Sequence, residues 1–223
     1  MKKIAEATIV RLSIYNRTLH KLEREGVEII SSFEMGDKIG FSAAQIRKDL
    51  SFFGDFGETG KGYYVRDLIN AISRILGVDR KWDVVLVGAG NLGAALFYYP
   101  EFGDRGFNIV VVFDNDLRKI GKRLENIVIQ DISELPKTVK ELNIRIGIIT
   151  VPAQVSQGIA NLLTSSGVRA ILNFAPSVIT VPEGMELRNV GPCTKLESLT
   201  YFLTNDAKVR TDVFMKTENS SGY

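Results

Sequence analysis

The stretch Val84-Val85-Leu86-Val87-Gly88-Ala89-Gly90-Asn91-Leu92-Gly93 constrains the fold of this chain more than any other. Its four apolar residues read as a buried parallel strand, and the glycines that follow have the spacing G-x-G-x-x-G. Each glycine has its own mechanical task. Gly88 allows a tight turn, Gly90 lets a pyrophosphate approach the backbone, and Gly93 lets helix and strand pack closely. A helix predicted from Asn91 to Tyr99 would turn unpaired N–H groups and a positive dipole end toward the phosphates. A second apolar run, Phe107 to Phe113, ends in Asp114, about twenty residues past the last glycine. A carboxylate there accepts hydrogen bonds from a ribose 2′-OH and repels a 2′-phosphate, which favours NAD(H) over NADP(H). Taken alone, the motif also fits a glycine turn without a ligand, or a fold relative that binds coenzyme A.

At 223 residues the chain is one large domain or two small ones. A net charge of +2 supports no global argument for polyanion binding, so a nucleic-acid contact requires a local patch. The one cysteine, Cys193, excludes an intramolecular disulfide and a cysteine-rich metal site, and no metal is expected. No apolar run reaches the roughly 18 residues of a membrane span and no signal-peptide core is present, so the expected location is cytoplasmic.

Residues 5–25 read as an amphipathic helix with Leu12, Tyr15, Leu19 and Leu22 on one face and Gly26 closing it. Ser31 and Glu34 have capping-box spacing for a second helix that Gly40 ends. Ser42 and Gln45 repeat that spacing and open a third helix to about Phe53, with Ala43, Ile46, Leu50 and Phe53 as its apolar face. The opposite face carries Ala44, Gln45, Arg47, Lys48 and Ser51. Arg and Gln can make bidentate contacts to base edges, and Lys and Ser can reach phosphates, so this face suits a DNA major groove. A solvated charged face is the alternative. Gly54 to Tyr63 is glycine-rich with interleaved aromatics and reads as a hairpin wing bringing Lys61 near the phosphates. Winged helices also dock proteins, and that possibility stays open. A fourth helix from Val65 to Leu76 ends at Gly77, and Val78 to Lys81 forms a polar linker.

Strands and helices then alternate, which predicts an α/β parallel sheet. The expected elements are a strand at Ile127 to Ile129, a helix from Ser133 (as cap) to Leu142, and a strand from Ile144 to Val151. A helix to Ser166, a strand from Ala170 to Phe174 and a last strand at 185–190 complete the pattern. Strand ends line the ligand crevice in such sheets, which makes Thr150, Val151, Pro152, Asn173, Phe174 and Ala175 candidates for the nicotinamide end. Simple loop and core packing is the competing role for each. Residues 196–203 read as an apolar C-terminal helix, for burial against a partner subunit or its own domain.

Hydride transfer to a carbonyl needs a proton donor or Lewis acid beside its path. The one histidine, His20, lies in the first helix, and no Tyr-x-x-x-Lys pair exists. Cys193 reads as a structural thiol, with a nucleophilic or redox role as the alternative. No catalytic residue is therefore assigned, and binding without turnover is favoured. An NAD-dependent oxidoreductase with an accessory winged helix remains the alternative.

Five stretches carry a resemblance that spans nearly the whole chain: Ala7 to Leu12, Ser42 to Gly54, Gly88 to Gly93, Thr150 to Ala153 and Asn173 to Pro176. With Tyr201-Phe202-Leu203 near the end, their order resembles the bacterial redox-sensing repressors of the Rex family. The resemblance implies a winged-helix domain (1–80), a Rossmann-like NAD(H) domain (81–194), a swapped dimerisation helix (195–208) and a flexible tail (209–223). It implies a homodimer that binds palindromic double-stranded operator DNA when free or bound to NAD⁺, and leaves it when NADH binds. The expected DNA contacts are Arg11, Ser42, Ala44, Gln45, Arg47, Lys48, Ser51, Lys61 and Tyr63. The cofactor contacts add Ala89, Asn91 and Leu92 to the residues above. The family also joins its domains through an Arg, a Tyr and an Asp. Arg17 and Tyr99 match the first two, and the third aligns with Gly191, so the switch is expected to be wired differently or to be weaker.

Overall fold

The computed structural model describes residues 4–58, 60–191 and 193–204. The expected tail at 209–223 and the last turn of the C-terminal helix, 205–208, lie outside the described residues. The chain divides at Lys81 and Trp82 into two compact units, with Phe102–Gly106 grouped with the first.

In the first unit, α1 (Glu6–Arg24) buries Leu12, Tyr15, Leu19 and Leu22. This is the face that the 3-4-3 spacing predicts, and burying each such side chain contributes about 2 kcal/mol. The strand β1 (Ile29–Ile30) precedes α2 (Ser32–Ile39), which has the full capping box of Ser31 and Glu34. Its end at Gly40 has φ +75°. Ser42 caps α3 (Ala43–Ser51) by accepting from the Gln45 N–H. The strand β2 (Tyr63–Tyr64) leads into α4 (Val65–Leu76), closed by Gly77. The wing has the expected short hairpin at its tip, where Glu58 and Gly62 exchange backbone bonds, and a further pairing that the sequence did not suggest. β2 pairs antiparallel with β1, across two intervening helices, and among the described residues of the 54–62 loop the one bridge is Glu58–Gly62. Positive φ at Gly54 and Gly57 interrupts any longer ladder there, whereas Ile30 is a buried β-branched partner.

The second unit is a seven-stranded sheet. Its strands are β3 (Trp82–Val87), β4 (Phe107–Asp114), β5 (Arg123–Leu124), β6 (Ile127–Asp131), β7 (Ile146–Ile149), β8 (Ala170–Asn173) and β9 (Glu186–Asn189). The spatial order is β5-β6-β4-β3-β7-β8-β9, parallel except for β5 on β6. Without β5 this is the 3-2-1-4-5-6 order of a doubly wound dinucleotide fold. The helices are α5 (Asn91–Phe97), α6 (Pro100–Asp104), α7 (Leu135–Glu141) and α8 (Ala153–Ser166). α5 stops two residues before the expected Tyr99, because Pro100 disfavours helical backbone in the residue ahead of it. The expected cap Ser133 is replaced by Asp131, whose carboxylate accepts the Ser133 N–H at 2.8 Å and opens a 3-10 turn ahead of α7. Val85, Val87, Val111, Phe113, Ile149 and Leu163 form the centre of the core. Residues 193–204 are helical and exposed throughout, with Leu196, Leu199, Tyr201, Phe202 and Leu203 all at least 58% exposed.

Candidate functional site

β3 has β4 on one side and β7 on the other, so the chain leaves the sheet in opposite directions at its C-terminal edge. That divergence opens a crevice in folds of this order. Here it is a cleft of about 930 Å³. Its floor is fixed by main-chain bonds: Gly88 N–H donates to Phe113 O at 2.8 Å and Thr150 N–H to Val87 O at 2.9 Å. The Thr150 hydroxyl lies 2.7 Å from Gly88 O and 3.0 Å from Val87 O, so it ties the glycine turn to β7.

The three glycines stand in different surroundings. A Cβ at Gly93 would lie 1.9 Å from Gly88 O, and one at Gly88, with φ +104°, would lie 2.8 Å from Thr150 O. Both are excluded by the chain itself. A Cβ at Gly90 would meet no atom within 4 Å. Gly90 lines the cleft and caps α5, and the space beside its backbone is left open to a ligand. The cradle therefore fits the pyrophosphate of a dinucleotide.

Asp114 closes the other end. Its Oδ2 accepts Ala89 N–H at 2.7 Å and Lys119 Nζ at 2.9 Å, and its Oδ1 accepts Asp116 N–H at 2.9 Å. Burial opposes its ionisation, but Lys119 and the two backbone donors outweigh burial and hold the carboxyl below its usual range.

Of the expected cofactor residues, Gly88, Gly90, Asn91, Leu92, Asp114, Thr150, Val151, Pro152 and Phe174 line this cleft. Ala89 and Gly93 act behind it, one on Asp114 and the other in helix packing. Asn173 and Ala175 have a different place from the expected one, being buried away from the cleft at 0% and 6% exposure. Asn173 Nδ2 donates to Ser177 O at 3.0 Å and Asn189 Oδ1 at 2.9 Å, while its Oδ1 accepts Ala175 N–H, so it organises the turn that presents Phe174. Asp116, Lys119, Gln154, Val155 and Ile159 also line the cleft and were missed. Val155 and Ile159 stand four apart on α8, a helical pair that periodicity could have flagged. Lys119 gives no such signal.

In the first unit, Ser42, Ala44, Arg47, Lys48 and Ser51 are all exposed on α3. Arg47 Nη1 donates to Ser32 Oγ at 2.8 Å, which steadies the guanidinium at the start of α2. Lys61, in the wing, is exposed and pairs with Glu58 at 2.5 Å. Three expected DNA contacts sit deeper. Tyr63 is 8% exposed and belongs to the core. Arg11 directs Nε and Nη2 onto Asp49 at 2.6 and 2.7 Å. Gln45 donates to Asp49 Oδ1 at 2.8 Å instead of returning to the Ser42 backbone as a capping box would. Asp49, which the sequence reading passed over, is fully buried and also accepts the Tyr15 hydroxyl at 2.8 Å. Burial opposes its charge, yet Arg11, Tyr15 and Gln45 together hold its carboxyl below the ordinary range. Arg17 is exposed on α1, and Tyr99, past α5, is 46% exposed.

Among the described residues no cluster of His, Cys, Asp and Glu could hold a metal ion, and no helix is long and apolar enough to cross a membrane. Cys193 is exposed.

Comparison with known proteins adds to this geometry. Residues 3–51 match the family model described as "Putative DNA-binding protein N-terminus", and residues 79–177 match the one described as "CoA binding domain". The chain is similar to the redox-sensing transcriptional repressor Rex of Desulforamulus reducens, 52% identical over 90% of this chain and 96% of that one. The Rex of Pelotomaculum thermopropionicum is 49% identical over 90% and 94%. The crystal structure of RSP in complex with β-NAD⁺ and operator DNA superposes with a TM-score of 0.89 at 34% identity, covering 100% of both chains. RSP in complex with β-NADH gives 0.84 over 95% and 99%.

Proposed function

The chain belongs to the family of redox-sensing transcriptional repressors named Rex, and on that premise we propose that it gauges NADH against NAD⁺ in the Gly88–Gly93 cleft and releases operator DNA when NADH binds. It is a transcriptional repressor and not an enzyme, and the oxidoreductase alternative falls with that assignment. The observation that carries the reading is Gly90. It faces the cleft with no protein atom within reach of a Cβ, in a chain whose other unit offers an exposed Arg47–Lys48 face.

In this reading the cleft holds the pyrophosphate at Gly88–Gly93, the adenosine ribose at Asp114, and the nicotinamide near Val151, Pro152 and Phe174. The oxidised ring is planar and cationic and the reduced ring is neutral and puckered, so a closed crevice can favour one of them. Two copies joined through residues 193–204 would convert that preference into a change of spacing between their α3 helices. Half-site spacing then sets DNA affinity. By the family resemblance Arg17 and Tyr99 belong to the redox switch, with Gly191 at the position of the family's acid. The five apolar side chains exposed on the C-terminal helix support its burial by a second copy.

A palindromic duplex tests the DNA side. Replacing Arg47 and Lys48 with Ala should weaken operator binding at least ~100-fold and flatten the salt dependence by about one phosphate contact, that of Lys48, with NADH affinity unchanged. Operator binding that survives both substitutions would remove α3 as the reading helix. Sedimentation of the free protein should give a dimer.

A further inference from the structure

The ribose end of the cleft is not the simple acidic corner that the sequence motif implies. Asp114 meets Lys119, whose Nζ is 2.9 Å from Oδ2, and the pair lies side by side with a second one. Arg118 donates to Asp116 through Nε at 3.0 Å and Nη2 at 2.9 Å. Two acids and two cations leave no net charge there. A lone carboxylate rejects a 2′-phosphate by like-charge repulsion, and a free cation near it accommodates one. A neutralised carboxylate does neither by itself.

We propose that Lys119 is the residue that sets how the cleft discriminates between a free 2′-hydroxyl and a 2′-phosphate, by dividing its ammonium between Asp114 and the ribose. This rests on the dinucleotide reading given above. The geometry assigns complementary parts to the pair. Asp114 is fixed by two backbone N–H donors that do not depend on Lys119. Its remaining lone pair can accept a ribose hydroxyl proton. Lys119 has one donor on Asp114 and two more available from a side chain that is 34% exposed and borders the cleft. It can donate to a ribose oxygen without leaving the carboxylate. Selectivity then depends on Asp114 keeping the ammonium occupied. Without the acid, Lys119 is the cation a 2′-phosphate needs. Without the lysine, Asp114 is an unneutralised charge that repels it.

The test is the ratio of NADPH to NADH dissociation constants, read by cofactor fluorescence on the full chain. Lys119→Met should weaken NADH roughly ten-fold, the usual worth of a charged hydrogen bond, and raise the ratio by at least a further ten-fold. Lys119→Arg should restore the ratio to near the native value. Asp114→Asn should lower the ratio below native, by making NADPH bind better. Because that change touches the glycine loop, the lysine variants decide the matter alone. If Lys119→Met binds NADH and leaves both the affinity and the ratio unchanged, Lys119 is only a surface clamp and the inference is overturned. If the native chain binds no NADH at all, the reading of the cleft fails first and this inference with it.

Discussion

Asp49 in the first unit and Asp114 in the second are both buried carboxylates that meet a basic side chain, but their surroundings differ. Asp49 is fully enclosed, and its partner Arg11 has a side chain only 19% exposed. Its oxygens are taken by Arg11 and Tyr15, which bind α1 to α3, and by Gln45 one turn earlier on α3 itself. Asp114 is fixed by backbone N–H groups, and its partner Lys119 stands at a cleft wall. An arginine fork fits a carboxylate in a set geometry, whereas lysine is a movable point charge. The first pair holds the helix bearing Arg47 and Lys48 in place. The second leaves binding capacity facing open space. The same acid–base pairing is thus internal architecture in one unit and a ligand-facing surface in the other.

The strongest way to break this contrast is Asp49→Ala. It leaves the partly buried Arg11 guanidinium and the buried Tyr15 hydroxyl without their carboxylate, and should cost about 3 kcal/mol in the first unit's unfolding free energy. Chemical denaturation measures it, and a loss below about 1 kcal/mol would demote the hub to an ordinary surface pair. Next in size are the two glycines of the cleft. Gly93→Ala should destabilise the second unit by about 1–3 kcal/mol, since its Cβ would strike Gly88 O. Gly90→Ala should change stability by less than about 0.5 kcal/mol, as at an open site, yet weaken NADH at least ten-fold. Equal stability losses in the two variants would contradict the division between a packing glycine and a ligand glycine.

The smallest effect is with pH. Both carboxyls are held below their unfolded values. Their stabilisation is complete above about pH 4 and is lost as pH falls through the lowered native values. The native chain should therefore lose more stability than Asp49→Asn on acidification below about pH 4. Parallel acid limbs would mean that Asp49 ionisation contributes nothing.

The contrast also shows where the sequence was readable. Residues that act through local chain geometry were legible: the Ser31–Glu34 box, the closures at Gly40 and Gly77, and the glycine turn with Asp114. Residues that act through distant partners were not. Asp49 carries no local signal, because its partners Arg11 and Tyr15 lie 38 and 34 residues away. Asn173 reads as a strand-end ligand until the turn to Ser177 and Asn189 encloses it. The β1–β2 pairing joins segments that no local pattern connects. Lys119 follows the motif acid by five residues, in a loop with no periodicity to mark it.

The most direct test of the account is a titration of operator affinity with each cofactor at fixed salt. NAD⁺ should leave the affinity of the free protein essentially unchanged, and NADH should lower it at least ten-fold. The Gly90→Ala variant should shift the NADH midpoint upward without changing DNA affinity in its absence. Superimposable operator isotherms with no cofactor, with NAD⁺ and with saturating NADH would contradict it.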